Sequence, residues 1–147
     1  MINLDYDQLK IKSYHFWDLF LHENQYPYIG RCYASAKREN ADLVTGMDPH
    51  EMWELFQTII PQWDVAVYEL FNRSRPNVAI LGNKWEHLHA HLIPRYKTPC
   101  TYDGVQFVDP NPTGNYVSYQ KRDLPLDMIL NIRNIMKGQI SEVTCRI

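Results

Sequence analysis

The sequence has no long hydrophobic run, no excess of basic residues and no paired cysteine motif. No stretch approaches the roughly 20 apolar residues that a membrane-spanning helix needs, and the first twelve residues lack the basic flank and apolar centre of a signal peptide. The 15 lysines and arginines stand against 17 acidic residues, which argues against a protein that grips a nucleic-acid backbone. Cys32, Cys100 and Cys145 form no CxxC pair, so no disulfide framework is expected. These absences predict a cytoplasmic protein with no membrane or nucleic-acid partner.

The 147 residues are enough for one globular domain with its own core, and 45% of them are hydrophobic. Strand-like and helix-like segments follow one another with hairpins but without regular alternation, which favours an α+β domain with an antiparallel sheet. The strand-like segments are residues 16–23, 28–36, 76–82 and 85–95, and the segment at 76–82 has a buried pattern. A long ordered loop that can include short strands is expected at 96–120.

Two segments have helical periodicity. The first begins at Asp48, which can cap the free amides of a first turn that contains Pro49 and Glu51. Its apolar stripe predicts a long helix packed on the sheet, with a kink at Pro61. The second covers residues 124–138, where a glycine is expected to end the helix.

Three of the six histidines fall within five residues, at His87, His89 and His91. Side chains alternate along a strand, so these imidazoles are expected to share one face while Leu88, Ala90 and Leu92 face the core. Imidazole titrates near neutral pH, so one ring can be a nucleophile while its neighbour donates to negative charge. A row of partly cationic rings also favours an anion such as phosphate.

The residues alone leave two other interpretations open. One is a strand that carries three surface histidines without function. The other is a zinc site, because two histidines separated by one residue on a strand can both bind a metal, and His91 or Cys32 could supply a third ligand.

The run His87-Leu88-His89-Ala90-His91-Leu92-Ile93, followed by Pro94-Arg95, resembles the signature of the histidine triad (HIT) superfamily, in which histidines alternate with apolar residues. The resemblance implies a HIT-like α+β fold with a five-stranded antiparallel sheet, a long helix packed on it and a C-terminal helix. It implies a single domain over residues 1–147, with a core at about 16–95 and a C-terminal extension at 96–147. It also implies a homodimer.

The same resemblance implies hydrolysis or transfer at the α-phosphate of a nucleoside phosphate derivative, of the dinucleoside polyphosphate or nucleoside phosphoramidate type, through a nucleotidyl-histidine. By the motif, His89 is the nucleophile, His91 donates to a phosphate oxygen and His87 fixes the orientation of His89. Neither a cofactor nor a metal is needed. The alternative within this fold is a nucleotide-binding regulatory module with little catalysis.

The resemblance also suggests nucleotide contacts. Glu23, with Asn24 as second choice, stands where family members bind the ribose hydroxyls, and a carboxylate can accept from both hydroxyls. Asn83, Lys84 and Arg95 flank the triad and are expected to bind phosphate.

The sequence departs from the family pattern in two places. Arg31 stands where many members have a histidine, and the segment at 82–86 before the triad is short. Contacts to the leaving group are therefore expected from Lys84 or from the loop after residue 96. The remaining histidines, His15, His22 and His50, are given no functional role.

Overall fold

The structure is a computed structural model that describes residues 4–117 and 121–145. Among these residues no helix is long and apolar enough to cross a membrane. The strands are β1 (Lys10–Ser13), β2 (Trp17–Leu21), β3 (Cys32–Ala36), β4 (Arg75–Ala79), β5 (His89–Arg95), β6 (Cys100–Tyr102) and β7 (Val105–Phe107); the helices are α1 (Pro49–Glu54), α2 (Ile60–Phe71) and α3 (Leu126–Cys145), with a π-helical turn at Leu55–Ile59 and short 3-10 turns at Tyr6–Leu9 and Val44–Gly46.

The main sheet has five antiparallel strands in the order β1-β2-β3-β5-β4, and this confirms the predicted α+β class. Leu19, Ala34 and Ala90 lie opposite one another on β2, β3 and β5, and all three are fully buried. They pack in one core with helical residues such as Trp63 and Ile132. One face of the sheet therefore packs against the helices in the core, and the side chains of the opposite face do not take part in that packing.

The first helix begins as predicted. The Asp48 side chain accepts a hydrogen bond from the backbone of His50, and Glu51 closes the capping box. Just before Pro61, where a kink was predicted, the helix contains a π turn in which the amide of Ile60 donates to the carbonyl of Leu55. This wider turn accommodates a residue that has no amide hydrogen and whose ring crowds the preceding turn of an α-helix.

Four segments differ from the sequence-based prediction. The N-terminal segment, which lies outside the predicted strands, supplies edge strand β1 after a 3-10 turn. β4 is an exposed edge strand, because it pairs only with β5. β5 begins at His89, four residues later than predicted. α3 continues through Gly138, since Met136 and Ile140 are buried on either side and their packing offsets the low helix propensity of glycine.

Candidate active site

The face of the sheet opposite the core brings His89 and His91 together with aromatic side chains of two other strands. His91 lies opposite Tyr33, and Tyr33 lies opposite Phe20, with which it stacks at 5.1 Å between ring centroids. His89 lies opposite Ser35. Directly opposed residues of antiparallel strands share a face, so His89 and His91 do project to the same side, as the spacing predicts.

The backbone fixes the tautomer of His89. Its ring is 6% exposed, and its Nδ1 lies 2.5 Å from the carbonyl oxygen of His87. A carbonyl oxygen can only accept, so Nδ1 carries the hydrogen and donates it. The neutral ring then keeps its lone pair on Nε2, which is the nitrogen available for nucleophilic attack.

His91 stands against His89, with ring centroids 4.9 Å apart and the planes near perpendicular at 78°. Burial lowers the pKa of His91 to about 4, and the positive charge of Arg31 adds to the effect. The ring is therefore neutral at physiological pH. In that state it can donate an N–H hydrogen bond to a phosphate oxygen, but it holds no extra proton to give to a leaving group.

His22, for which no functional role was predicted, joins the site just after the end of β2. Its ring centroid lies 6.1 Å from that of His91. The amide of Asn24 donates to Nδ1 of His22 at 3.0 Å, so the hydrogen of the neutral ring is on Nε2. Burial lowers the pKa of His22 to about 2, with repulsion from Arg31 as the next cause. The available signal was its place two residues beyond Phe20, on the same alternating face.

Arg31 lies beside these two histidines and is 7% exposed. Its carbonyl oxygen accepts from the amide of His22 and from the side chain of Gln25, which fixes the main chain here. Its Nε has no hydrogen-bond partner in the described part of the chain. The aromatic ring of Tyr116 lies 5.7 Å from its guanidinium carbon.

His87 has a different place from the other two triad residues. It precedes β5, its Nε2 donates to the carbonyl of Ala36 at 2.7 Å, and its ring stacks on Trp85 at 5.3 Å. The His87 ring does not line the pocket described next. It is the backbone carbonyl of His87, and not its ring, that orients His89.

A pocket of about 780 Å³ lies against His89 and His91, within the size range of about 300–1,000 Å³ that is usual for small-molecule sites. Of the predicted nucleotide contacts, Glu23, Asn83 and Lys84 line it, whereas Asn24 does not. The lining residues are Tyr6, His22, Glu23, Tyr33, Leu81, Gly82, Asn83, Lys84, Trp85, His89 and His91.

Arg95 differs from its predicted role as a phosphate contact. It is 3% exposed, does not line the pocket, and forms an ion pair with the buried carboxylate of Asp109 at 2.8 Å. A second donor binds the other carboxylate oxygen of Asp109, and the remaining three bind the side chain of Asn77 and the carbonyls of Asn111 and Gly114. All five guanidinium hydrogens are thus engaged within the protein, which leaves none for a phosphate.

The zinc interpretation loses its proposed cysteine ligand. Cys32 is fully buried and lies opposite Leu21 and Leu92, on the core face of the sheet. Burial also raises the pKa of its thiol well above the ordinary value. Within residues 4–117 and 121–145, no group of three His, Cys, Asp or Glu side chains is arranged to hold a metal ion.

Comparison with known proteins agrees with this geometry at the level of the fold. No protein-family model matches the chain, and no curated protein matches it. Among the solved structures that do match, a histidine triad protein from Bradyrhizobium japonicum has a TM-score of 0.68 and 19% identity, with 89% of each chain covered. A histidine triad protein from Marinobacter aquaeolei VT8 has a TM-score of 0.69 and 18% identity, covering 90% of this chain and 88% of that one. A diadenosine triphosphate hydrolase from Plasmodium falciparum has a TM-score of 0.60 and 16% identity, covering 95% of this chain and 80% of that one. The chain has the fold of the histidine triad proteins.

Proposed function

We propose that the protein is a nucleotide hydrolase or nucleotidyl transferase that acts at the α-phosphate of a nucleoside phosphate derivative. The observation that carries the proposal is the orientation of His89. Its Nδ1–H is bound to a backbone carbonyl, so the lone pair of Nε2 is available in a ring that lines a pocket large enough for a nucleotide. Neutral His91 stands beside it as an N–H donor.

In the proposed reaction, Nε2 of His89 attacks the α-phosphorus. An N–P bond forms while the bond from phosphorus to the leaving group breaks, and the leaving group takes the electron pair. The ring becomes cationic, and its Nδ1–H bond to the carbonyl of His87 strengthens as a charge-assisted hydrogen bond. Water then cleaves the N–P bond, releases the nucleoside monophosphate and returns the ring to its neutral form.

The rest of the pocket supports a nucleoside next to this centre. Glu23 offers a carboxylate to the two ribose hydroxyls, and Tyr33 and Leu81 provide an apolar wall for the base. Lys84 brings positive charge to the same pocket, which suits the phosphates. That a solved structure of this fold is a diadenosine triphosphate hydrolase supports the choice of substrate class.

The test compares wild-type protein with His89→Asn in turnover and in an acid-quenched single-turnover assay that detects a nucleotide adduct by mass. We expect His89→Asn to lose the adduct and more than about 10³-fold in turnover, as on loss of a nucleophile. His50→Asn is the matched control, because His50 is an exposed histidine of α1 and is expected to keep both. If wild-type protein forms no adduct but binds nucleotide, the regulatory module is the better description.

The homodimer implied by the family resemblance stays a prediction. Edge strand β4 would support it, since β4 pairs with β5 alone among the described residues and its Val78 is 38% exposed. A sedimentation mass of twice 17.5 kDa is the expected result.

A further inference from the structure

Arg31 carries a buried positive charge for which the reaction outlined above has no use. The residue leads directly into β3, and strand alternation places its side chain on the face of Tyr33, opposite the core. His22, which directly follows β2, is its neighbour, and the His22 amide donates a hydrogen bond to the Arg31 carbonyl. The guanidinium therefore lies on the same face as the catalytic histidines, at the end of the row beyond His91. Arg31 does not itself line the pocket, so its charge acts there from behind His22, Glu23 and His91, which do line it.

The charge of Arg31 is not balanced in the way that the charge of Arg95 is. Arg95 has an ion pair with Asp109 and five engaged donors, whereas Arg31 has an unpartnered Nε and no ion pair within the described residues. Glu23 is the nearby acid whose charge acts on Arg31, and Tyr116 offers its ring. A cation taken out of water without a counter-ion is unfavourable, so a bound anion close to it is strongly favoured.

The histidines beside His89 indicate what kind of anion this is. His91 and His22 are both neutral at physiological pH, because burial and the charge of Arg31 oppose their protonation. An amine leaving group, as in a phosphoramidate, has to receive a proton when its bond to phosphorus breaks. A phosphate leaving group departs as an anion and needs no proton. Neutral histidines beside the fixed positive charge of Arg31 therefore suit a phosphate leaving group better than an amine leaving group.

Building on the proposed reaction, we propose that the substrate carries a second phosphate next to the one that His89 attacks, and that Arg31 selects for it. When Nε2 of His89 bonds to the α-phosphorus, the bridging P–O bond breaks and its electron pair stays on the departing phosphate. The charge of Arg31, together with that of Lys84 in the pocket, stabilises the negative charge that develops there. The proposal favours nucleoside polyphosphates over nucleoside phosphoramidates.

The test measures kcat/KM on a dinucleoside triphosphate and on a phosphoramidate of the same nucleoside. We expect Arg31→Gln to lower kcat/KM for the triphosphate by about 10- to 100-fold, the scale of a lost interaction with a charged group, and to leave the phosphoramidate unchanged or faster. Arg31→Lys keeps the charge and is expected to recover most of the loss. Lys97→Gln, which removes an exposed charge outside the pocket, is the matched control.

A binding measurement separates this proposal from the proposed function. In a His89→Asn background, calorimetry compares nucleoside diphosphate with nucleoside monophosphate. Arg31 is expected to favour the diphosphate by about tenfold or more, and Arg31→Gln to abolish that preference. Equal affinities with Arg31 present, or equal losses on both substrates in Arg31→Gln, would overturn the role of Arg31. Absence of turnover and adduct with the diphosphate preference intact would instead overturn the proposed reaction.

Discussion

Replacing Arg95 by methionine is expected to destabilise the protein without weakening nucleotide binding. Methionine keeps much of the side-chain volume but leaves the carboxylate of Asp109, whose side chain is 0% exposed, without its counter-ion. Burial alone would raise the pKa of Asp109, yet hydrogen bonds from Arg95 and from the amides of Asn111 and Tyr96 outweigh it and hold this pKa below its ordinary value. Breaking a buried ion pair on one side costs about 3–5 kcal/mol. We expect a loss of that size in the free energy of unfolding.

The measurement is urea unfolding followed by tryptophan fluorescence, with nucleotide affinity measured by calorimetry at low temperature. The double variant Arg95→Met, Asp109→Asn is the matched control, because it removes both charges while keeping one acceptor oxygen. The amides of Asn111 and Tyr96 bind different oxygens of Asp109, so one of the two loses its acceptor in this variant. It is expected to recover about 2 kcal/mol of the loss. A single variant that stays within about 1 kcal/mol of wild type but binds nucleotide at least tenfold more weakly would show that Arg95 is a phosphate contact after all.

Two further predictions concern stability. His22 and His91 bind protons less readily in the folded state than in the unfolded state, so the free energy of unfolding should fall as the pH drops below about 6.5. His22 alone should lower it by about 2 kcal/mol between pH 6.5 and 5. In urea unfolding at a series of pH values, His22→Asn should therefore reduce the dependence of the free energy of unfolding on pH. A slope that His22→Asn does not change would count against the burial of His22. Gly30→Ala should lower the free energy of unfolding by about 2 kcal/mol or more, measured by thermal unfolding, because Gly30 has φ +90° and an added Cβ would lie 2.7 Å from Cγ1 of Val67. Gly46→Ala is the control, since nothing lies within 4 Å of a Cβ there, and it should change stability by less than about 0.5 kcal/mol. Equal effects at the two glycines would contradict the close approach at Gly30.

The sequence predicted the parts of the site that depend on local spacing. Alternation along β5 correctly placed Leu88, Ala90 and Leu92 in the core, and it placed His89 and His91 together on the other face. Alternation puts His22 on the same face as Phe20, but it does not show that this face meets His89 and His91. That meeting depends on the register between β2, β3 and β5, which brings together residues far apart in the sequence.

Arg95 is a case in which its neighbours in the sequence suggested the wrong role. A basic residue next to a histidine triad looks like a phosphate contact, and nothing near it in the sequence indicates a competing partner. The competing partner is Asp109, which lies 14 residues later, after the β6–β7 hairpin. Its buried carboxylate forms an ion pair with the guanidinium of Arg95. Sequence spacing shows which charges lie close in the chain, but only the fold shows which of them meet.

The π turn at Leu55–Ile59 affects which side of the long helix, Pro49 to Phe71, faces the sheet. Leu55, Ile59, Trp63, Val67 and Phe71 are all buried and recur at every fourth residue. On a regular α-helix such a series would rotate around the axis by about 40° at each step and leave the sheet within a few turns. The slower winding of one π turn counteracts this drift. It lets a helix of 23 residues, from Pro49 to Phe71, keep one side in contact with the strands that carry the histidines.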